Sequence, residues 1–148
     1  MVTSARTPNG FLIIGCANGD RNLLLIPFTV SRDGQTIARL SGKEATAGRI
    51  LGLHMTQRPY GVLTAVCAGD RRLLMIKWTV GADGRISRAG DSGDEAGALT
   101  SRIDQSPLFD VTAVPITDAG VCTPLRTASG DLLLINWDDM DGPGELIR

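Results

Sequence analysis

The sequence is poor in the residues that build metal sites and disulfide frameworks. It has one histidine, His54, and three cysteines in 148 residues. Cys16, Cys67 and Cys122 form no C-x-x-C pair, and an odd number of cysteines does not make a closed disulfide framework. We therefore predict no metal site and no cofactor. Cys16 and Cys67, at matching positions before a leucine-rich run, are interpreted as small core residues.

The sequence also lacks an excess of charge of either sign and lacks long apolar runs. Fifteen Lys and Arg against sixteen Asp and Glu give a net charge of −1, without the broad basic field that holds nucleic acid or anionic lipid. The first residues do not resemble a signal peptide, and no apolar run is long enough to span a bilayer. We expect a cytoplasmic protein with no nucleic-acid or membrane partner.

What the sequence does contain is a segment that occurs three times. A Leu-Leu-x-Ile-x-aromatic run ends at Phe28, Trp78 and Trp137, with spacings of 50 and 59 residues. Each run follows a β-branched or small-residue strand and is followed by an Asp-Gly turn, a strong hairpin signal. No helical periodicity accompanies these repeats. Because the runs are continuously apolar, we expect them in sheets that are covered on both sides.

Short antiparallel strands in repeats of about 50 residues are typical of propeller blades. The repeats resemble those of bacterial β-propeller proteins, whose blades read V-x-T-A-V-R-x-x-S-G-x-L-x-L-I-x-W-x-V-x-x-D-G-x-I-x-R. Residues 121–137 and 63–88 match this pattern best, whereas the first repeat has Phe28 in place of tryptophan and Pro27 within the strand. The resemblance implies an all-β propeller fold with four-stranded blades, and it implies no particular activity.

The predicted organisation is a single half propeller over residues 1–148. Its blades span about 8–56, 58–116 and 118–148. Propellers need about four to eight blades to close, so we expect a homodimer that completes a six-bladed ring. Residues 1–6 of the partner chain are expected to supply the outer strand of the third blade. The alternative is that the chain is a fragment of a longer propeller gene.

The first functional interpretation is a non-catalytic binding or scaffold module for carbohydrate or protein. Three repeated turn aspartates, Asp33, Asp83 and Asp141, would line one face of a dimeric ring with carboxylates, although the turns themselves favour Asp-Gly. Arg58 and Tyr60 are further ligand-binding candidates because they do not repeat. No catalytic residue is assigned.

The second interpretation is a propeller enzyme, such as a lyase or glycoside hydrolase. Such an enzyme needs non-repeating polar residues that converge at the channel mouth. His54, Arg58 and Tyr60 are the nearest approach to such a cluster. Trp78 and Trp137 could stack on sugars, but their fixed place in the leucine-rich run favours a role in the core.

Overall fold

Every regular element in the described part of the chain is a β-strand. The computed structural model describes residues 1–41, 44–46, 49–68, 73–91, 112–117, 120–126 and 132–138. The strands are β1 (Val2–Arg6), β2 (Leu12–Ala17), β3 (Leu23–Val30), β4 (Ile37–Arg39), β5 (Glu44–Thr46), β6 (Ile50–Arg58), β7 (Gly61–Ala68), β8 (Leu73–Val80), β9 (Ile86–Asp91), β10 (Val114–Thr117), β11 (Gly120–Arg126) and β12 (Leu132–Asp138). The prediction of an all-β fold is confirmed. Within these ranges no helix has the length and apolarity to cross a membrane.

The strands form three antiparallel sheets, each built from strands that follow one another along the chain. The first sheet has the order β1-β2-β3-β4, with β5 paired to the other end of β3. The middle sheet has the order β6-β7-β8-β9, and the last sheet has the order β10-β11-β12. Such meanders need only short hairpins, and the Asp-Gly turns supply two of them, at Gly34 and Gly84, with φ of +72° and +79°.

The sheets begin one strand earlier than the predicted blades. The sequence places residues 50–56 at the end of a first blade that spans 8–56. In the structure Ile50–Arg58 pairs with Gly61–Ala68 and opens the middle sheet. The leucine-rich run marks each repeat in the sequence, but it does not show which sheet the strand before or after it joins. Here the hairpin at Pro59 and Tyr60 decides the pairing, because it joins β6 to β7.

The N-terminal segment is paired within its own chain. Val2 lies opposite Cys16 and Arg6 lies opposite Leu12, so residues 2–6 are the first strand of the first sheet. The amide of Thr7 donates to the carbonyl of Phe11 at 2.8 Å and closes the hairpin. This pairing takes the place of the expected exchange of residues 1–6 with a partner chain.

The three sheets stack face to face, with the middle sheet covered on both sides. One core cluster joins the first and middle sheets, and it includes Ile13, Leu25 and Trp78. A second cluster joins the middle and last sheets, and it includes Met75 and Trp137. The continuous apolar run of β8 is therefore buried on both faces, as its sequence predicts, and both tryptophans are core residues. The same expectation is wrong for β12 within one chain, because Leu132 and Leu134 on one of its faces are exposed.

The first strands of successive sheets lie next to each other. β1 packs against β6, and β6 also contacts β10. The edge formed by these strands is therefore the side on which the sheets converge. The hairpins that follow β1 and β6 lie at one end of this edge.

Candidate functional site

The described turn aspartates are used to build their turns. Asp33 Oδ1 accepts hydrogen bonds from Ser31 Oγ at 2.5 Å and from the amide of Gln35 at 3.1 Å. Asp83 Oδ1 accepts from the amide of Arg85 at 3.0 Å. The Ser31 hydroxyl and then the Gln35 amide hold the pKa of Asp33 below its ordinary value of 3.8. These carboxylates are exposed, but each already fixes a turn.

The two aspartates belong to turns of different sheets, after β3 and after β8. Asp141, the third candidate of this kind, lies outside the described residues.

Arg58 lies at the junction between the middle and last sheets. Its side chain is only 2% exposed, and Nη1 donates to the carbonyl of Thr117 at 3.0 Å. Tyr60 follows in the same hairpin, and its ring centroid is 5.5 Å from Nζ of the buried Lys77. Such a distance is within range of a cation–π interaction. Arg58 and Tyr60 thus belong to the same hairpin, and their given contacts are with different residues, Thr117 and Lys77.

His54 lies on the same face of β6 as Arg58. The register places His54 opposite Ala65 and Arg58 opposite Gly61, so both side chains face the last sheet. His54 donates a hydrogen bond to the carbonyl of Ala113. Burial lowers the pKa of His54 below its ordinary value of 6.5, and the hydrogen bond to Ala113 opposes this shift.

The hydrogen bonds of His54 and Arg58 hold the two ends of β10. Ala113 directly precedes this strand, and Thr117 is its last residue. β6 therefore attaches the last sheet to the middle sheet through two backbone carbonyls.

A cleft of about 430 Å³ opens beside this attachment. It is lined by Gln57, Arg58, Pro59, Pro115, Ile116 and Thr117. The cleft lies between the β6–β7 hairpin and β10, at the edge where the first strands of the sheets converge. Prolines and an isoleucine form apolar walls, while an amide, a guanidinium and a hydroxyl provide polar groups.

Sequence reasoning identified Arg58 but missed the other side of the cleft. Pro115 and Ile116 lie at the end of the predicted second blade, 58–116, and Thr117 lies just beyond it. All three instead belong to β10, the first strand of the last sheet. One sequence signal could have identified β10 as a first strand. Gly120 stands at the same distance after Thr117 as the hairpin residue Gly61 stands after Arg58.

The described residues contain no group of three or more His, Cys, Asp or Glu side chains that could hold a metal ion. Cys67 is buried, Cys16 and Cys122 are half-buried, and all three are present as thiols.

Comparison of the chain with protein-family models, with curated proteins and with solved structures finds no significant match.

Proposed function

We propose that the chain is a non-catalytic binding or scaffold protein of the β-propeller type, in which two copies form a ring of six blades. The proposal is supported by three antiparallel meanders that stack face to face, with the middle one covered on both sides. It is also supported by the close approach of β1, β6 and β10, because the first strands of propeller blades surround a central channel. In this ring each chain is one half.

The main support for a binding role is the cleft between the β6–β7 hairpin and β10. Because it adjoins the converging first strands, it opens at the channel mouth of the proposed ring. Its volume of about 430 Å³ and its mixture of apolar walls with a few polar groups are typical of ligand sites. Proline walls beside Gln57 and Thr117 suit a sugar ring or a short segment of a protein ligand.

Binding is favoured over catalysis because the polar residues nearest the cleft have structural roles. His54 and Arg58 donate to backbone carbonyls of the last sheet, and burial keeps His54 neutral near pH 7. A lyase or glycoside hydrolase would need an acid and a base that face the ligand. An enzyme of this kind remains the second proposal, and it differs from the binding protein because it would convert its ligand into a product.

A glycan array combined with an immobilised peptide library tests this proposal. We expect weak, reversible binding that Ile116→Trp abolishes, because the indole fills the cleft. Ala82→Trp is the matched control, since Ala82 is exposed in the β8–β9 turn and outside the cleft. Absence of binding on both surfaces, or binding that survives Ile116→Trp, would contradict the proposal. A shortened glycan detected by mass spectrometry would instead establish the enzyme alternative.

A further inference from the structure

Each sheet has two faces, and the residues that alternate along β8 define them for the middle sheet. Leu73 and Met75 on β8 pack toward the last sheet, whereas Ile76 and Trp78 pack toward the first sheet. We call the side of Leu73 and Met75 the leucine face of a sheet, and the side of Ile76 and Trp78 its aromatic face. The repeat places corresponding residues on β3 and β12.

Both junctions inside the chain join a leucine face to an aromatic face. Leu23 and Leu25, on the leucine face of the first sheet, share a core cluster with Trp78 of the middle sheet. The leucine face of the middle sheet in turn shares a core cluster with Ile135 and Trp137 of the last sheet. The stack therefore has a direction, because the first sheet presents its leucine face to the middle sheet and the middle sheet presents its leucine face to the last sheet.

Among the residues that the structure describes, two faces of the stack have no other sheet packed on them. Leu132 and Leu134 occupy leucine-face positions of the last sheet and are 71% and 58% exposed, whereas the corresponding leucines and methionine of the other sheets are fully buried. On the aromatic face of the first sheet, Ile26 and Phe28 are half-buried, whereas their counterparts in the other sheets are buried. Contiguous exposed apolar residues of this kind mark an interaction surface.

We propose that the leucine face of the last sheet docks on the aromatic face of the first sheet of a second copy. This proposal rests on the six-bladed ring described under the proposed function. The contact reproduces the two junctions that the chain already contains. Because the two faces differ, the contact is heterologous, and two copies are joined twice when the ring closes. Without closure the same contact produces a filament or a larger ring.

Charged residues at the rims of the two faces are complementary. Arg6 is exposed opposite Leu12 on the aromatic face of the first sheet. Asp138 is exposed opposite Gly120, at the end of the leucine face of the last sheet. Arg6 is paired with the first residue of β2 and Asp138 with the first residue of β11, so the two charges lie at corresponding ends of their sheets. Arg6 and Arg32 also line a pocket of about 300 Å³ in which a carboxylate such as Asp138 of the second copy would be accommodated.

The accessibility of two cysteine thiols can show whether the open faces are covered. Cys16 lies opposite Leu24 on the aromatic face of the first sheet, and Cys122 lies opposite Asn136 on the leucine face of the last sheet. Both are half-buried in the single chain, while Cys67 is buried within it. Docking covers Cys16 and Cys122 and leaves Cys67 buried as before, so Cys67 serves as an internal reference for thiol labelling.

The test places one aspartate on either face of the full chain. Leu134→Asp alters the leucine face and Ile26→Asp alters the aromatic face. We expect each to raise the dissociation constant by about 100-fold in sedimentation velocity, because the aspartate would be buried without a partner in the interface. This change corresponds to about 2.8 kcal/mol at about 1.4 kcal/mol per tenfold. Iodoacetamide should then label Cys16 and Cys122 faster. Ala82→Asp is the control, because Ala82 is exposed in the β8–β9 turn of the middle sheet, outside both open faces, and it should leave association unchanged.

Mixing the two variants separates a heterologous contact from a symmetric one. Leu134→Asp retains an intact aromatic face and Ile26→Asp retains an intact leucine face, so the mixture should associate more tightly than either variant alone. Association that neither variant weakens, or a mixture that gains nothing, would overturn the proposed pairing of faces.

The charge pair gives a second test, at two exposed charged positions in place of apolar ones. Arg6→Asp and Asp138→Arg should each weaken association, and the double variant should recover it. Failure of recovery would overturn the assignment of Asp138 to Arg6. A filament or a larger ring that responds to these variants would support the face pairing but contradict the six-bladed ring. A dimer indifferent to them would leave the ring standing and overturn the pairing.

Discussion

Trp78 donates its indole N–H to Thr64 Oγ1 at 2.9 Å inside the core between the first and middle sheets. Trp137 makes the same 2.9 Å hydrogen bond to Thr123 in the core between the middle and last sheets. In both cases the threonine precedes the tryptophan by 14 residues. The first sheet has Phe28 at the aromatic position, and there Ile14 stands 14 residues earlier. The indole donor and the threonine acceptor are thus either both present or both replaced by apolar residues. This avoids a buried polar group without a hydrogen-bond partner, which would be destabilising.

Thr64→Val should destabilise the protein by about 1–3 kcal/mol, because it leaves the buried indole N–H of Trp78 without an acceptor. Urea denaturation followed by far-UV circular dichroism measures the change. The double variant Thr64→Val with Trp78→Phe removes the donor as well, imitating the apolar pair of the first sheet, and should lose less than the sum of the two single variants. A Thr64→Val protein as stable as the parent would show that the hydrogen bond contributes nothing.

Gly61→Ala should cost more than about 3 kcal/mol. Gly61 has φ of +150°, and an added Cβ would lie 2.4 Å from the carbonyl oxygen of Trp78, so the hairpin could not form without moving backbone. Gly10→Ala is the control. Gly10 has φ of +93° in the corresponding loop of the first sheet, but an added Cβ meets nothing within 4 Å, so only the conformational cost of about 1–2 kcal/mol applies. Equal losses in thermal melts would contradict the packing of this hairpin.

Arg58→Met should loosen the last sheet from the middle sheet. Methionine preserves part of the apolar stem but removes the hydrogen bond to the carbonyl of Thr117, and hydrogen bonds to charged groups contribute about 1.5–3 kcal/mol. Amides of β10 and β11 should exchange with deuterium faster, while those of β2 and β3 remain unchanged. Arg85→Met, at an exposed turn position, is the control. Uniform acceleration in all sheets would show that Arg58 supports the whole fold instead.

Stability should fall as the pH drops below about 6.5, because of His54. Burial lowers the pKa of His54 in the folded protein, so the unfolded chain binds a proton first as the solution is acidified. The stabilisation is complete above the unfolded value of 6.5 and is lost between that value and the lower folded pKa. His54→Gln should remove this dependence. Since His54 is the only histidine, its ring protons give a clear NMR titration, and a midpoint at or above 6.5 would contradict the expectation.

Much of the local structure could be predicted from the sequence because local chemistry determines it. Asp33-Gly34 and Asp83-Gly84 require a turn of positive φ, and both form one. The leucine-rich run of β8 has no polar face, and both of its faces are covered. The 14-residue spacing of Thr64 and Trp78 was also present in the sequence, although its meaning depends on the antiparallel register.

The candidate site was less predictable because it depends on contacts between distant residues. Arg58 meets the carbonyl of Thr117 only after two sheets have stacked, and the partner is a backbone atom that no residue type reveals. Asp33 and Asp83 recur because turns need them, so repetition alone could not separate a ligand site from a structural role. The pairing of Val2–Arg6 was missed because a short polar segment gives little pattern to read.

The molar mass of the purified protein in solution tests the central proposal most directly. Light scattering behind a size-exclusion column should give twice the chain mass of 15.7 kDa, and the value should remain constant across the eluting peak. This result is expected because two half rings bury both open faces. A monodisperse species of 15.7 kDa that melts cooperatively would contradict the account, since it would show that three sheets are stable with both faces exposed.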